Sequence, residues 1–163
     1  MKWIVPMNWV LARLYEPDIA IVDVRFQLAD REAGRRSYEA GYIPGAVYLD
    51  LEKDLSAPTA EHGGRHPLPD PEKLAEKLGK LGISRDTRVV AYDDQGGMMA
   101  ARLWWLLRYL GHERVYVMDR GFSAWRAAGY PIATAPPAVR VPVRYEARVQ
   151  PHMLADVHDV RAA

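Results

Sequence analysis

Three short runs of apolar, largely β-branched residues limit what this chain can fold into. Ile19 to Val24 is apolar except at Asp23, Thr87 to Tyr92 is built on Val89, Val90 and Ala91, and Val115 to Met118 is the third. Each has the length of a strand, and a near-continuous apolar run is what a strand buried on both faces requires. Helix-compatible stretches separate them. Arg31 to Ala40 is polar, Asp70 stands as an N-cap before Pro71, and Leu74, Leu78 and Leu81 follow at helical spacing up to Gly82. Leu103, Leu106, Leu107 and Leu110 form a second helical stripe, and Ser123 to Ala128 is a short helix stopped by Gly129 and Pro131. Trp9 to Leu14 is a short amphipathic stretch, and Ala46 to Leu51 a further short strand after Gly41 and Pro44-Gly45. Strands alternating with helices predict an α/β domain, a central mostly parallel sheet with helices on both faces.

A chain of 163 residues, 49% hydrophobic and 26% charged, is sized for one compact domain. Lys and Arg total 22 against 21 Asp and Glu, so a net charge of +1 gives no field to draw the chain onto nucleic acid or anionic lipid. No run approaches the ~20 apolar residues that span a bilayer, and Met1 to Val10, holding Lys2, Pro6 and Asn8, lacks the apolar region of a secretory signal. A soluble cytoplasmic protein is the expectation. The absence of cysteine excludes disulfides, thiolate metal sites and any reaction through a thiolate or persulfide of this chain.

Glu52 to Asp70, with Pro58, Gly63, Gly64, Pro67 and Pro69, reads as a long irregular connection. His62 and His66 stand four apart within it, but Gly63, Gly64 and Pro67 oppose the helix that would turn both imidazoles to one metal, so they read as solvated or hydrogen-bonding side chains. Beyond residues 1–135 lies a linker, 136–149, rich in Val, Arg and Pro. Residues 150–163 then return to helical spacing at Met153, Leu154, Val157 and Val160, like the start of a second unit with no place in a domain that closes near Pro131.

Ligands of open α/β sheets bind beyond the carboxyl ends of the strands, where loops enter helix N-termini. Asp93, Asp94, Gln95, Gly96, Gly97 and Met98 form such a loop. Gly96 and Gly97 can simply permit a tight turn, or can turn several amides toward one point that suits a small oxyanion. Asp93 and Asp94 can cap the helix, and a carboxylate inside such a cradle would occupy the place of an anion and repel one. Asp23, Asp93, Asp94 and Asp119 all fall at strand ends, which leaves open an aspartate-based, magnesium-dependent phosphoryl-transfer site, though no Asp-x-Asp signature accompanies them. Adjacent Trp104 and Trp105 project ~100° apart on their helix, so either both rings pack under neighbours or one faces a partner.

Ile21-Val22-Asp23-Val24-Arg25, Gly41-Tyr42-Ile43-Pro44-Gly45-Ala46, Val89-Val90-Ala91-Tyr92-Asp93 with Arg102-Leu103-Trp104-Trp105, and Gly121-Phe122-Ser123-Ala124-Trp125 with Gly129-Tyr130-Pro131 resemble, in order, the blocks of a rhodanese domain. Gly64-Arg65-His66-Pro67-Leu68-Pro69 and the Trp pair are most similar to the first domain of tandem thiosulfate or 3-mercaptopyruvate sulfurtransferases. The resemblance implies a three-layer rhodanese-like fold and places Asp93 where the family's catalytic cysteine would stand, so no catalytic residue is expected in this chain. It further implies a second, catalytic rhodanese domain as partner, a small sulfur-containing anion as the parent enzyme's substrate, and no cofactor or metal. A cysteine-free interaction or anion-binding module is the other reading. Tyr42 departs from a common histidine, and Arg120 interrupts the usual Asp-Gly-Gly; if that position needs positive φ, the side chain costs about 1 kcal/mol.

Overall fold

The structure, a computed structural model, describes residues 3–25, 33–50, 71–94, 96–134 and 141–150. Strands β1 (Ile4–Val5), β2 (Ile19–Asp23), β3 (Val47–Tyr48), β4 (Arg88–Tyr92) and β5 (Val115–Met118) form one parallel sheet in the order β1-β5-β4-β2-β3. The helices are α1 (Met7–Ala12), α2 (Ala33–Ala40), α3 (Pro71–Lys80), α4 (Met98–Tyr109) and α5 (Phe122–Ala127). The α/β architecture read from the sequence is thus borne out, with each helix between two strands or after the last.

Side chains alternate across the central strands and build two cores. Ala20 and Val22 of β2, Val89 and Ala91 of β4, and Val115 and Val117 of β5 pack with Leu74 and Leu78 of α3 and Leu103, Leu106 and Leu107 of α4. Ile19 and Ile21, Val90 and Tyr92, and Met118 face the other way, against Val10 of α1, Tyr38 of α2, and Phe122 and Trp125 of α5. Covering on both faces explains why β2 and β4 lack the polar alternation of a half-exposed strand.

The sequence reading misses β1. Ile4 and Val5 pair with Val117 and Met118, completing the sheet edge beside β5. A two-residue strand has no period to detect.

The larger difference lies in the segment read as a linker. Residues 141–150 run along the domain. Val143 donates its N–H to Gly79 O at 2.8 Å, Arg148 to Leu110 O at 2.7 Å, and Gln150 to Tyr109 O at 2.7 Å. At Gly79 a Cβ would stand 2.3 Å from Val143 O, so only glycine lets the segment approach. Tyr145 is buried in the α3/α4 core, and the domain therefore does not close near Pro131. The stripe Met153, Leu154, Val157 and Val160 lies outside the described residues.

His112, 1% exposed, fixes Tyr145. Its Nε2 meets Thr87 O at 2.7 Å, a carbonyl that can only accept, so Nδ1 of the neutral ring accepts from the Tyr145 hydroxyl at 2.9 Å. Burial pushes the imidazole pKa below its ordinary value. With a folded-state pKa below the unfolded value, this group's contribution is complete above about pH 6.5 and is lost as the pH falls toward the depressed value, since the unfolded chain takes up the proton first. The denaturation midpoint should therefore drop on acidification below about pH 6.5, and His112→Gln should flatten the dependence; an unchanged slope in that variant would assign the acid sensitivity elsewhere.

Candidate functional site

β4 ends at Tyr92, and the next two residues turn to opposite sides of the sheet. Asp93, 2% exposed, points toward α4. Its Oδ1 accepts the Gly97 N–H at 3.0 Å, and its Oδ2 accepts those of Met99 and Ala100, each at 2.9 Å. The opening amides of a helix have no intrahelical acceptor, and here one carboxylate takes three donors from the start of α4. Gly96 and Gly97 have φ of +73° and +93°, and a Cβ at either would meet nothing within 4 Å. Left-handed backbone, not lack of space, is what calls for glycine here. The loop does make an anion cradle, and the chain's own anion fills it.

Asp94 points toward α5. Its Oδ1 accepts the Ser123 N–H at 3.0 Å and its Oδ2 the Ser123 hydroxyl at 2.5 Å, so it ties the loop to the first turn of that helix. The two elements approach so closely that a Cβ at Gly121 would lie 2.7 Å from Asp94 Oδ1. Met98 is exposed at the head of α4, and Gln95 lies outside the described residues.

Beneath the loop is an ionic network that the sequence reading did not single out. Asp23, fully buried, accepts Arg25 Nε at 3.0 Å and Nη2 at 2.6 Å through Oδ2, and the Tyr92 hydroxyl at 2.7 Å through the same oxygen. Arg25 Nη2 also donates to Gly41 O, and the Ile43 N–H donates to the Tyr92 oxygen. Burial works against the guanidinium charge, but the Asp23 hydrogen bonds and charge hold its pKa above the ordinary value. Burial likewise pushes the Tyr92 hydroxyl well up, with the Asp23 charge adding to it, so Tyr92 stays a donor. A signal was available in the i, i+2 spacing of Asp23 and Arg25, which turns both side chains to one face at a strand end.

The four strand-end aspartates do not converge. Asp23 is taken up by Arg25 and Tyr92, Asp93 by amides and Asp94 by Ser123, while Asp119 is exposed and bonded through its N–H to Val5 O. Among the described residues no group of three or more His, Asp or Glu is placed to hold a metal ion. His62 and His66 lie outside the described residues. Trp104 stacks on Trp3 at 4.5 Å and Trp105 on Tyr109 at 5.4 Å, so both rings are packed under neighbours. Tyr42 is buried and stacked on Tyr38 at 4.6 Å, and Arg120 is exposed without positive φ, so its turn carries no such strain.

A mostly parallel three-layer domain with an amide cradle between its central strand and the following helix defines a class, and comparison with known proteins gives it a name. The sequence profile of the Rhodanese-like domain matches residues 6–128, and the chain belongs to that family. It is 45% identical over 153 residues to a probable 3-mercaptopyruvate sulfurtransferase of Pseudomonas aeruginosa, covering 93% of this chain and 54% of that protein. Against the 3-mercaptopyruvate sulfurtransferase of Escherichia coli K12 it is 31% identical over 166 residues, covering 99% of this chain and 57% of that one. The crystal structure of SseA from Escherichia coli, a 3-mercaptopyruvate sulfurtransferase, superposes with a TM-score of 0.80 at 29% identity, over 97% of this chain and 62% of that one. The chain thus spans about half the length, or less, of the curated relatives it matches. No helix among the described residues is long and apolar enough to cross a membrane.

Proposed function

We propose that this chain is the non-catalytic rhodanese domain of a sulfurtransferase that moves sulfane sulfur from thiosulfate or 3-mercaptopyruvate to a thiophilic acceptor such as cyanide or a thiol. The observation that carries this reading is the Asp93 carboxylate seated on the amides of Gly97, Met99 and Ala100, at the position that belongs, in the matching block, to the family's cysteine. A thiolate is nucleophilic toward the outer sulfur of a donor and can hold it as a persulfide on such amides; a carboxylate contains no sulfur and cannot. Its negative charge also fills the space a small sulfur oxyanion would need. A second, catalytic rhodanese domain is the partner in this reading, supported by relatives nearly twice as long as this chain.

The purified chain, given thiosulfate and cyanide, should form thiocyanate no faster than the mixture without protein. Colour development well above that rate, from preparations of verified purity, would show a sulfur carrier other than cysteine.

A further inference from the structure

Residues 141–150 form a strap across the α3/α4 side of the domain. Their backbone donates from Val143, Arg148 and Gln150 to carbonyls of Gly79, Leu110 and Tyr109, which lie at the C-terminal ends of the two helices. At Gly111, as at Gly79, a Cβ would press on a strap carbonyl, here 2.7 Å from Arg148 O. Tyr145 is the one side chain of the strap that is buried, and its neighbours Arg144 and Glu146 are exposed. Water can take over the helix-end carbonyls if the strap lifts, so the Tyr145 anchor is the part that resists release.

That anchor ends on a titratable group. The Tyr145 hydroxyl donates to His112 Nδ1, and the two rings stack with centroids 5.7 Å apart. A protonated imidazole carries N–H donors on both nitrogens. Nε2–H can still serve Thr87 O, but Nδ1 can no longer accept, and the hydroxyl hydrogen of Tyr145 loses its acceptor inside the core. Burial is the main obstacle to charging the ring. Of the groups that face it, Arg85 and Asp86, from the turn between α3 and β4, act in opposite directions, and Arg114, ahead of β5, meets it through the main chain. From the strap comes only the Tyr145 phenol, which burial keeps neutral by raising its pKa. A buried imidazolium therefore gains little here, whereas lifting the strap would let water reach it.

We propose that His112 and Tyr145 form an acid-sensitive latch: proton uptake at His112 releases Tyr145, and residues 141–150 lift from α3 and α4 while the sheet stays folded. The strap supplies none of the strands, whose pairing of β2, β4 and β5 is complete without it. Its release uncovers the part of the α3/α4 core to which Tyr145 belongs. The latch does not depend on the chain's part in sulfur transfer.

Hydrogen exchange of the full chain, followed by NMR and corrected for the intrinsic rate at each pH, tests this. Between about pH 7 and about pH 5 the protection of the Val143, Arg148 and Gln150 amides should fall by about tenfold or more. The amides of Val24 and Val117, bonded to Tyr92 O and Trp3 O within the sheet, should keep theirs. In the native chain the fall should begin below about pH 6.5 and stop once the His112 ring resonances show complete protonation, a readout that needs no variant. His112→Gln should leave the strap equally protected at both pH values. Strap protection that does not change with pH, or that falls equally in His112→Gln, would overturn the latch. Loss at Val24 and Val117 in step with the strap would show unfolding of the whole domain and would overturn it too.

Discussion

Replacing Arg25 with methionine should cost about 3–5 kcal/mol, a large part of the stability of a domain this size. The methionine fills much of the space, so the loss is electrostatic. Asp23 would keep only the Tyr92 hydroxyl and the backbone N–H of residue 25 while remaining fully buried at the end of β2. Burying a carboxylate without its counter-charge is far more expensive than having no charge there at all. The double change Asp23→Leu with Arg25→Met should therefore be more stable than the single one, although Tyr92 then loses its acceptor. Urea unfolding of the three proteins decides the matter. A single variant within 1 kcal/mol of the native chain would mean that the pair contributes little, contrary to its burial and geometry.

The second large effect falls on the loop. Asp93→Ala should destabilise the chain by about 2–3 kcal/mol, because it removes three charge-assisted bonds from the first turn of α4 and leaves the Ala100 amide buried. Water can reach the Gly97 end of the loop, which keeps the loss below that of three fully buried donors. Asp93→Asn discriminates further. Oδ2 serves Met99 and Ala100 while Oδ1 serves Gly97, so an asparagine that keeps its carbonyl on the first two sets its NH2 against the Gly97 N–H. A denaturation midpoint for Asp93→Asn equal to that of the native chain would show that the Gly97 contact is dispensable.

The parts of the fold legible in the sequence are those whose burial is two-sided or strongly periodic. Val115 to Met118 coincides with β5, and the leucines at 103, 106 and 107 mark the buried face of α4 because period and burial agree there. Ile4 and Val5 were not legible as a strand because their partners on β5 are more than a hundred residues away. The 141–150 segment escaped for a different reason. Its attachment is through backbone bonds to Gly79, Leu110 and Tyr109 and a single buried ring, Tyr145, and none of these leaves a repeat in the sequence.

The cradle was partly legible. A carboxylate ahead of two glycines and a helix is a local pattern, and the amides at Gly97, Met99 and Ala100 lie within seven residues of Asp93. Asp94 was not distinguishable from Asp93 on those grounds, since its partner Ser123 is 29 residues on and its direction follows from the sheet. Arg25 is similar: the pairing with Asp23 is local, but a cavity it lines is assembled from α2, α5 and the Ile132 region, which only the tertiary fold brings together.

The central claim is that a rhodanese anion cradle is intact in this chain and is silenced by the side chain that occupies it. Mass spectrometry of Asp93→Cys after exposure to thiosulfate tests it most directly. With the amides of Gly97, Met99 and Ala100 freed and the left-handed turn at Gly96 and Gly97 unchanged, the new thiolate should take the outer sulfur of thiosulfate and release sulfite, leaving a protein heavier by one sulfur atom, while the native chain stays unmodified under the same treatment. A folded Asp93→Cys protein that gains no sulfur would show that this loop lacks the shape to hold a persulfide, and the claim would fail.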